Sequence, residues 1–464
     1  MLKTNLVLVL AIFFSLGVHA QGEYNKCYFG TAAVDFGNLY PSVLTNSAME
    51  ASESAASICD EQGNLLFYSN GGNSPTNPSV EGAVWNANHE IMENGILSDS
   101  SGCISSYHGA VAFPSPASTK QNKTGESNYY LFLRDCVESS FSAPNYNSGL
   151  TYCIIDMNEN GGLGKVVEKN QVAVPFSEGS WIKTSHEPVA AVKNANNQNW
   201  WIFSYNNDSL YRIELTENGI GNYQSYGISE GAITISPRRD KLIAGDKLYD
   251  LNASTGELNY LMSFNIKSAS FSSDGTKLYR LSGGKLFQYD VDANDIMNSE
   301  VEIATVSNIH ALYLAPDTRI YLFGSNANNI PGYIECPNNN GFNTGITMSG
   351  LSLNGRSSGD FFTNIPANYL YKTTNQCNVS VEEIEKNQQK LTISPNPAKN
   401  EIKILSSTMM KINDVKIFSS TGRLMIHKSK VTNSTIDISN LSSGVYFVHS
   451  MLKDEVAVTK LVVE

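Results

Sequence analysis

The stretch ASFSSDGTKLYRLSGGKLFQYDVDAND, residues 269–295, contains three short β-rich runs separated by turns of Ser, Asp and Gly. Related stretches lie on either side of it: AITISPRRDKLIAGDKLYDLNASTGEL at 232–258 and LYLAPDTRIYLFGSNANNIPGYIECP at 312–337. Ser236, Ser272 and Ala315 occupy equivalent places in the three stretches, at steps of 36 and 43 residues. Periods near ~40 residues with several strands each are typical of propeller blades, which bury their faces by stacking on one another.

Earlier parts of the chain contain weaker copies of the same unit. They are ASICDEQGNLLFYSNGG at 56–72, GAVAFPSPASTKQNKTGESNYYLFLRD at 109–135 and AAVKNANNQNWWIFSYNNDSLYRIEL at 190–215. Six clear units predict an all-β fold, a β-propeller of six to eight blades with seven favoured, over residues 21–372. YFGTAAVDF at 28–36 and GDFFTNIP at 359–366 are the candidate strands for closing the ring.

The composition excludes one large class of partner. The chain has 464 residues, of which 16% are charged, and its net charge is −12. A negative long-range field repels phosphate backbones, and the sequence has no basic cluster to oppose it. Nucleic acid is therefore not an expected partner.

The first twenty residues have the pattern of a secretory signal peptide. Lys3 supplies a positive start, residues 6–18 form a short apolar run, and Val18 and Ala20 place small residues before the predicted cleavage at Gln21. No later stretch reaches ~18 consecutive apolar residues, so we expect no transmembrane segment in the mature chain.

The end of the chain reads as a separate small domain. Residues 373–390 are polar and lack β alternation, which predicts a linker. Residues 391–464 then alternate strand-like runs with turn signals, which predicts about seven short strands in an Ig-like β-sandwich.

The motifs of this tail resemble a known export signal. SPNPAKNEIKI, VKIFSSTGRLM, IDISNLSSGVYFV and TKLVVE occur in order through the final domain. Together they resemble the type A C-terminal sorting domain of the type IX (Por) secretion system of the Bacteroidota. The resemblance implies passage of the outer membrane through a translocon that binds residues 391–464, followed by release or attachment at the cell surface, commonly with removal of the tail.

The body resembles secreted WD-repeat-like propeller proteins of the same bacteria. The blocks that carry this resemblance include FGTAAVDFG, HEIMENG, YCIIDMNENGGLGKVVEKN and PGYIECPNNNG. It implies a fold and an extracellular location, and it carries over no catalytic, cofactor or metal residue. SSGDFF at 357–362 departs from the Gly-Leu-Pro-type segment expected there, which puts the closing strand in doubt.

Seven cysteines accompany the predicted export. They are Cys27, Cys59, Cys103, Cys136, Cys153, Cys336 and Cys377. An oxidising compartment permits disulfides, and Cys136 with Cys153 is the predicted pair because the two could sit on neighbouring strands beside one polar loop. Buried free thiols are an equal alternative, and the absence of a C-x-x-C spacing leaves structural zinc unsupported.

Two motifs suggest chemistry, and each has a structural alternative. GISEG at 227–231 matches a nucleophile elbow centred on Ser229, but a strand follows it where an elbow needs a helix. DMNENG at 156–161 matches half of a calcium loop, but the twelfth position is Val167 and Glu168 comes one residue late. We predict polar turns at both. DVDAND at 290–295 lacks the glycine of such a loop.

The remaining candidates are histidines and aromatic residues. We expect His108 and the pair His186–Glu187 to be structural or solvent-facing, because no second cluster has ligand spacing. Trp200, Trp201, Tyr129 and Tyr130 lie inside strand runs, where both faces are buried between blades, so we expect them in the core. The tripeptide DSL at 208–210 fits a short O-glycosylation pattern.

These observations favour a non-catalytic extracellular binding or adhesion module, located at the cell surface or secreted. Its ligand would be an extracellular glycan or protein, and the insertions at 120–128 and 137–148 are the expected recognition loops. The alternative is a secreted hydrolase or lyase acting on polysaccharide or peptide at the mouth of the propeller channel.

Overall fold

The structure is a computed structural model. It describes residues 22–38, 40–74, 77, 79–97, 102–116, 128–136, 149–174, 187–206, 209–228, 231–359, 361–373, 391–406, 412–419, 424–429, 435–452 and 455–464. The predicted signal peptide and nearly all of the predicted linker lie outside these residues. Within them, no helix is long and apolar enough to cross a membrane.

The body of the chain is built from short strands. In chain order they are β1 (Lys26–Phe29), β2 (Ala32–Asp35), β3 (Ser42–Leu44), β4 (Ala56–Cys59), β5 (Leu65–Ser69), β6 (Ala83–Asn86), β7 (Ile91–Ile96), β8 (Ala110–Pro114), β9 (Asn128–Arg134), β10 (Leu150–Asp156), β11 (Lys165–Val172), β12 (Val189–Lys193), β13 (Trp200–Asn206), β14 (Ser209–Thr216), β15 (Gly219–Tyr226), β16 (Ile233–Ile235), β17 (Lys241–Ala244), β18 (Lys247–Leu251), β19 (Leu258–Ser263), β20 (Ser268–Phe271), β21 (Lys277–Ser282), β22 (Lys285–Asp290), β23 (Val301–Thr305), β24 (Ile309–Leu314), β25 (Ile320–Gly324), β26 (Asn329–Ile330), β27 (Gly332–Ile334), β28 (Ile346–Thr347) and β29 (Leu351–Ser352). The helical turns are short 3-10 segments at Asn160–Gly162, Met297–Ser299, Gly341–Thr344 and Ala367–Leu370.

These strands form successive antiparallel sheets with neighbouring strands adjacent. A three-stranded sheet β1-β2-β3 is followed by β4 to β7, β8 to β11, β12 to β15, β16 to β19, β20 to β23 and β24-β25-β27-β28, with β26 and β29 as a separate pair. In the described part of the chain, six four-stranded blades, two of which share one eight-stranded sheet, match the six units seen in the sequence. Sequential four-stranded antiparallel sheets are the blades of a β-propeller, so the predicted all-β propeller fold is confirmed.

One turn geometry recurs between the first two strands of a blade. In five blades, a backbone carbonyl accepts a hydrogen bond from the N–H three residues later. The accepting residues are Asp60, Asn194, Ser236, Ser272 and Ala315. All five residues that donate these bonds have positive φ. They are Gly63, Asn197, Arg239, Gly275 and Thr318. Such turns favour Gly, Asn and Asp because those residues tolerate the left-handed conformation. The alignment of Ser236, Ser272 and Ala315 is thus confirmed.

Two neighbouring blades are joined at their outer strands. β7 pairs with β11 in parallel, with Lys165 opposite Glu93, so β4 to β11 form one eight-stranded sheet. Lys165 Nζ lies 2.8 Å from Glu93 Oε1, and Asn94 Nδ2 donates to the Val166 carbonyl at 2.7 Å. Gly164, immediately before β11, has a φ of 81°, a left-handed conformation that favours glycine.

The chain divides into two compact units, which we describe separately. The first comprises Met1–Ile233, Leu251–Leu258 and Leu353–Tyr369, and the second comprises Thr234–Asp250, Asn259–Ser352 and Leu370–Glu464. Apolar side chains of β4 to β14 form the main core of the first unit, including Phe132, Trp200 and Ile202. In the second unit, one apolar cluster includes Tyr279 and Leu322, and another includes Phe271 and Leu278.

The segment predicted to close the ring contacts the first strand but is not itself a strand. Phe362 packs on Phe29 with ring centroids 5.0 Å apart, and the Thr363 hydroxyl donates to the Tyr28 carbonyl. Among residues 361–366 the structure describes no strand. Side-chain hydrogen bonds replace a ladder here, since Asn364 also uses its amide to reach the Val189 carbonyl at 2.6 Å.

The predicted disulfide between Cys136 and Cys153 is wrong. Cys136 is bonded to Cys103, with their Cα atoms 5.5 Å apart. Cys153 lies opposite Leu131 on β9 and faces the core as a free thiol, whereas Cys136 lies beyond the end of that strand. Burial raises the pKa of the Cys153 thiol to about 12, so it stays protonated and unreactive.

The remaining cysteines in the described residues also include both free thiols and a disulfide-bonded residue. Cys27 and Cys59 are buried free thiols, and Cys336 is disulfide-bonded.

The described residues of the C-terminal domain form seven strands. They are β30 (Leu391–Ser394), β31 (Glu401–Ser406), β32 (Ile412–Ser419), β33 (Leu424–Ser429), β34 (Thr435–Asp437), β35 (Gly444–Leu452) and β36 (Glu455–Val463). Two sheets, β30-β31-β34 and β33-β32-β35-β36, enclose one apolar core that includes Ile402, Ile417 and Val448. Along each strand, alternate residues point inward and pack between the two sheets. This arrangement confirms the predicted β-sandwich.

The SPNP motif has a structural role in this sandwich. Asn396 Nδ2 donates to the Lys460 carbonyl, and Asn396 Oδ1 accepts from the Val462 N–H, both at 2.8 Å. The side chain of Asn396 therefore pairs with β36 as a backbone amide would.

Candidate functional site

A small cavity lies at strand ends in the first unit, and we call it the Arg134 site. Its lining residues are Arg134, Leu150, Val174, Ser204, Tyr205, Asn206, Tyr211 and Ile213. The space open to the centre of a water molecule is about 10 Å³, which is roughly what one water requires. The site can therefore admit one oxygen-sized group at its deepest point.

Backbone pairing fixes the position of Arg134 at the end of β9. Its N–H donates to the Gly109 carbonyl at 2.7 Å. The following residue, Asp135, donates its N–H to the Gly149 carbonyl at 3.1 Å and accepts the Gly149 N–H on Oδ2 at 2.8 Å. The backbone at Arg134 and Asp135 is thus held between the starts of β8 and β10.

The Arg134 side chain is buried and has no hydrogen-bond partner among the residues that the structure describes. The residue is 0% exposed, and Nε, Nη1 and Nη2 all lack an acceptor. Burial lowers the pKa of Arg134 to about 10, while the negative charges of Asp135 and Glu187 act in the opposite direction. The group remains protonated at neutral pH, so the site contains a buried cation with unused donors.

A buried unpartnered cation is unfavourable for folding alone. Guanidinium groups carry five N–H donors and no acceptor. Leaving a buried charge unpaired costs several kcal/mol, which is why most buried arginines are paired. Arg134 is the kind of exception that points to an external acceptor.

A second polar atom at the cavity also lacks a partner. Asn206 is buried at the end of β13, and its Oδ1 has no hydrogen bond. The neighbouring Ser204 hydroxyl is engaged, because it donates to the Pro188 carbonyl at 3.0 Å. Among the described lining residues, Arg134 and Asn206 therefore carry buried polar atoms that a ligand could engage.

Two neighbouring tyrosines lie beside the cavity, one in its lining and one exposed to solvent. Tyr211 on β14 is half-buried and lines the site. Its ring centroid lies 6.1 Å from that of Tyr223 on β15, and Tyr223 is 50% exposed. The two rings form a continuous aromatic surface beside the cavity.

The histidine and glutamate candidates lie close to this region in structural roles. Glu187 is buried and accepts the Tyr107 N–H on Oε2 at 2.8 Å. The His108 ring stacks on Tyr107 at 4.8 Å and meets Phe361 edge-on at 5.8 Å. Burial lowers the pKa of His108 to about 4, so its imidazole is neutral at pH 7.

The strand aromatics are placed mainly in the core. Trp200, Trp201 and Tyr130 are buried, and Tyr129 is half-buried against the same core. The predicted packing role is confirmed for the three buried rings.

The two acidic motifs are used by the fold. Asp156 Oδ1 accepts the Asn158 N–H at 2.9 Å, and Asn160 and Gly161 have positive φ, as in a hairpin turn. In the other motif, Asp290 pairs with Lys277 and Asp292 pairs with Arg238. Among the described residues, no three His, Cys, Asp or Glu side chains are grouped to hold a metal ion.

Several sequence candidates lie outside the described residues. These are Ser229, His186, Asp208, the insertion 137–148, and the insertion 120–128 except for Asn128.

Sequence reasoning missed Arg134 and Asn206. A signal was present, since NYYLFLRD is an apolar strand that ends in a charged pair three residues before the insertion 137–148. The burial and isolation of the guanidinium depend on β10, β13 and β14, which the strand sequence alone does not specify.

Comparison with known proteins identifies the tail. Residues 392–464 match the family model described as "Secretion system C-terminal sorting domain". No curated protein matches this sequence.

The solved structures that resemble the chain are distant. The extracellular domain of BT4673 from B. thetaiotaomicron is 11% identical with a TM-score of 0.38, covering 96% of this chain and 57% of that one. The β-propeller domain of Cps50 (Swd1) from Myceliophteria thermophila is 10% identical with a TM-score of 0.38, covering 66% and 93%. TolB from Acinetobacter baumannii is 12% identical with a TM-score of 0.28, covering 76% and 77%.

This chain spans little more than half of the BT4673 domain and of a second such domain, BT3049. At these scores the likeness carries no argument, and the fold assignment depends on the sheets themselves.

Proposed function

We propose that this chain, whose residues 392–464 are a C-terminal sorting domain of the type IX secretion system, is an exported β-propeller protein that binds an extracellular ligand without catalysis. The sorting domain directs export to the cell surface or extracellular space through the type IX machinery. The propeller body is then the working part, and the Arg134 site is its recognition site.

One observation carries the binding proposal. The guanidinium of Arg134 is buried, positively charged and without an acceptor. It can donate hydrogen bonds but cannot exchange protons at neutral pH, which suits recognition better than acid–base catalysis. A ligand oxygen that accepts these bonds would offset the desolvation of the charge.

The position of the site also supports binding. The lining residues end or begin strands of two blades, where a rigid scaffold presents loops for recognition. The insertion 137–148 begins three residues after Arg134, as expected of a recognition loop.

The alternative function is a secreted hydrolase or lyase. It draws support from the two carboxylates, Asp135 and Glu187, whose charges act on Arg134. Each of these carboxylates accepts a backbone N–H, which favours a structural role. If a bound ligand were turned over, and Asp135→Asn or Glu187→Gln abolished turnover but not binding, the enzyme hypothesis would replace ours.

The binding proposal is tested with the full mature chain on extracellular polysaccharide and surface-protein preparations from its habitat. We expect saturable binding that Arg134→Met abolishes and that Arg239→Met, in the second unit, leaves unchanged. Equal binding by all three proteins would place recognition elsewhere, and lack of saturable binding by the wild type would contradict the proposal.

A further inference from the structure

We propose that the Arg134 site binds the carboxylate of an acidic sugar, with one carboxylate oxygen in the cavity and the sugar ring against Tyr211 and Tyr223. This inference rests on the proposed binding function and names the class of ligand.

The donors determine the kind of group that enters. Arg134 offers only N–H groups, so its ligand must supply an acceptor. A charged acceptor makes hydrogen bonds roughly twice as strong as a neutral one, and planar carboxylates match the geometry of guanidinium donors. A carboxylate oxygen is therefore a well-matched acceptor for the unused guanidinium nitrogens in a buried setting.

The neighbouring charges limit the charge of the ligand. Asp135 and Glu187 both act electrostatically on Arg134, although neither forms a hydrogen bond with its guanidinium. A phosphate monoester, which carries up to about two negative charges at neutral pH, would be repelled by both carboxylates more than a single carboxylate would.

The small size of the cavity also favours a carboxylate over a phosphate or sulfate group. Space for about one water-sized group accommodates a single oxygen of a flat carboxylate. Tetrahedral phosphate and sulfate groups present three or more oxygens around one centre and need more room.

The aromatic surface favours a sugar as the carrier of that carboxylate. The Tyr211 and Tyr223 rings lie 6.1 Å apart and extend from the cavity to solvent. The negative face of an aromatic ring attracts the polarised C–H groups on one face of a sugar ring. Asn206, whose Oδ1 has no partner, can accept a hydrogen bond from a sugar hydroxyl.

The test is calorimetric titration of the full mature chain with three matched probes. The probes are uronic-acid oligosaccharides, the corresponding neutral oligosaccharides, and a short peptide rich in Glu. The variants are Arg134→Met, Tyr223→Ala and the control Tyr260→Ala, which removes an exposed tyrosine of the second unit. Thermal unfolding of each variant checks that it is folded.

We expect the wild type to bind the acidic sugars and not the neutral ones. Arg134→Met should weaken binding by roughly 30-fold or more, as expected for loss of charged hydrogen bonds. Tyr223→Ala should weaken it about 3- to 10-fold, as for loss of one aromatic contact. Tyr260→Ala should leave the affinity unchanged.

Other outcomes separate this inference from the proposed function. Arg134-dependent binding of the neutral sugar or of the peptide would overturn the acidic-sugar inference while keeping the site. Acidic-sugar binding that persists in Arg134→Met would overturn the site itself. Failure of every uronic-acid probe would also overturn the inference, and the polysaccharide and protein preparations would still decide whether the chain binds a ligand.

Discussion

Two buried arginines, one in each unit, have opposite surroundings. Arg319 in the second unit lies at 3.1 Å from Asp317 and 2.5 Å from Glu335, and Tyr321 donates its hydroxyl to Asp317 at 2.7 Å. In the first unit, no described residue accepts a hydrogen bond from any guanidinium nitrogen of Arg134. Both residues are nearly or fully buried, so the difference lies in pairing rather than in exposure.

The pKa directions reflect the same difference. Burial lowers the pKa of Arg134, and nearby carboxylates only partly oppose that effect. Burial also disfavours the charge on Arg319, but the hydrogen bonds that Arg319 donates to Glu335 and the charge of Asp317 together raise its pKa above the usual value. A paired buried arginine is part of the fold, whereas an unpaired one is available to a ligand. The predictions below test that distinction, from the largest expected effect to the smallest.

Removing the paired arginine should be the most damaging change. Arg319→Met leaves Asp317 buried without its cation, and loss of one partner of a buried pair costs ~3–5 kcal/mol. We expect the free energy of unfolding to fall by that amount in denaturant titrations. Asp317→Asn added to Arg319→Met should recover part of the loss, and an unchanged stability in Arg319→Met would contradict the structural role.

Breaking the disulfide beside Arg134 should come next. Cys103 and Cys136 are 33 residues apart in sequence, and closing a loop of that length stabilises a protein by about 2–4 kcal/mol. Replacing both by Ser should lower the melting temperature accordingly. Cys153→Ser, which alters a free buried thiol and keeps the Cys103–Cys136 bond, is the control and should respond to a reductant as the wild type does. Equal melting of the wild type with and without reductant would argue against this bond.

Lowering the pH should reduce the free energy of unfolding by a smaller amount, through His108 in the first unit. His108 is held neutral when folded, with a pKa of about 4, whereas an unfolded histidine takes up a proton near pH ~6.5. The free energy of unfolding should therefore be constant above about pH 6.5 and fall as the pH drops toward 4, because the unfolded chain binds more protons.

His108→Gln should remove a part of that acid sensitivity of the order of 1–2 kcal/mol. His449 in the sorting domain has a similarly lowered pKa of about 4, so His449→Gln serves as the comparison for that domain. Identical pH profiles for His108→Gln and wild type would contradict the burial of His108.

Removing the unpaired arginine should change stability least. Arg134→Met replaces a desolvated charge with an apolar side chain of similar length, which is often neutral or stabilising for buried charges. We expect the melting temperature to stay the same or rise slightly, while ligand binding is lost. A loss of stability comparable to that of Arg319→Met would mean that Arg134 is structural.

The sequence predicts features that depend on local chemistry. The blade repeat is visible because the five first hairpins whose turns the structure describes each have a residue with positive φ at a fixed place, such as Gly275 or Asn197. The tail is visible because Asn396 between two prolines and the alternating strands after it follow a family pattern.

Features that depend on distant packing could not be predicted in the same way. Cys136 pairs with Cys103 because of where β9 ends, and neighbouring strands alone suggested Cys153. Likewise, Arg134 resembles any charged strand end until β13 and β14 are placed over it. Residues 361–366 look like a strand by composition, but side-chain hydrogen bonds replace the ladder.

The central claim is that Arg134 is left unpaired because a ligand carboxylate is its partner. Thermal unfolding of wild type and Arg134→Met, each with and without saturating uronic-acid oligosaccharide, tests it most directly. A ligand at about 100 times its dissociation constant stabilises the folded state by ~2.7 kcal/mol. We predict a clear rise in the melting temperature of the wild type and none in Arg134→Met. Equal rises in both proteins, or no rise in the wild type, would contradict the account.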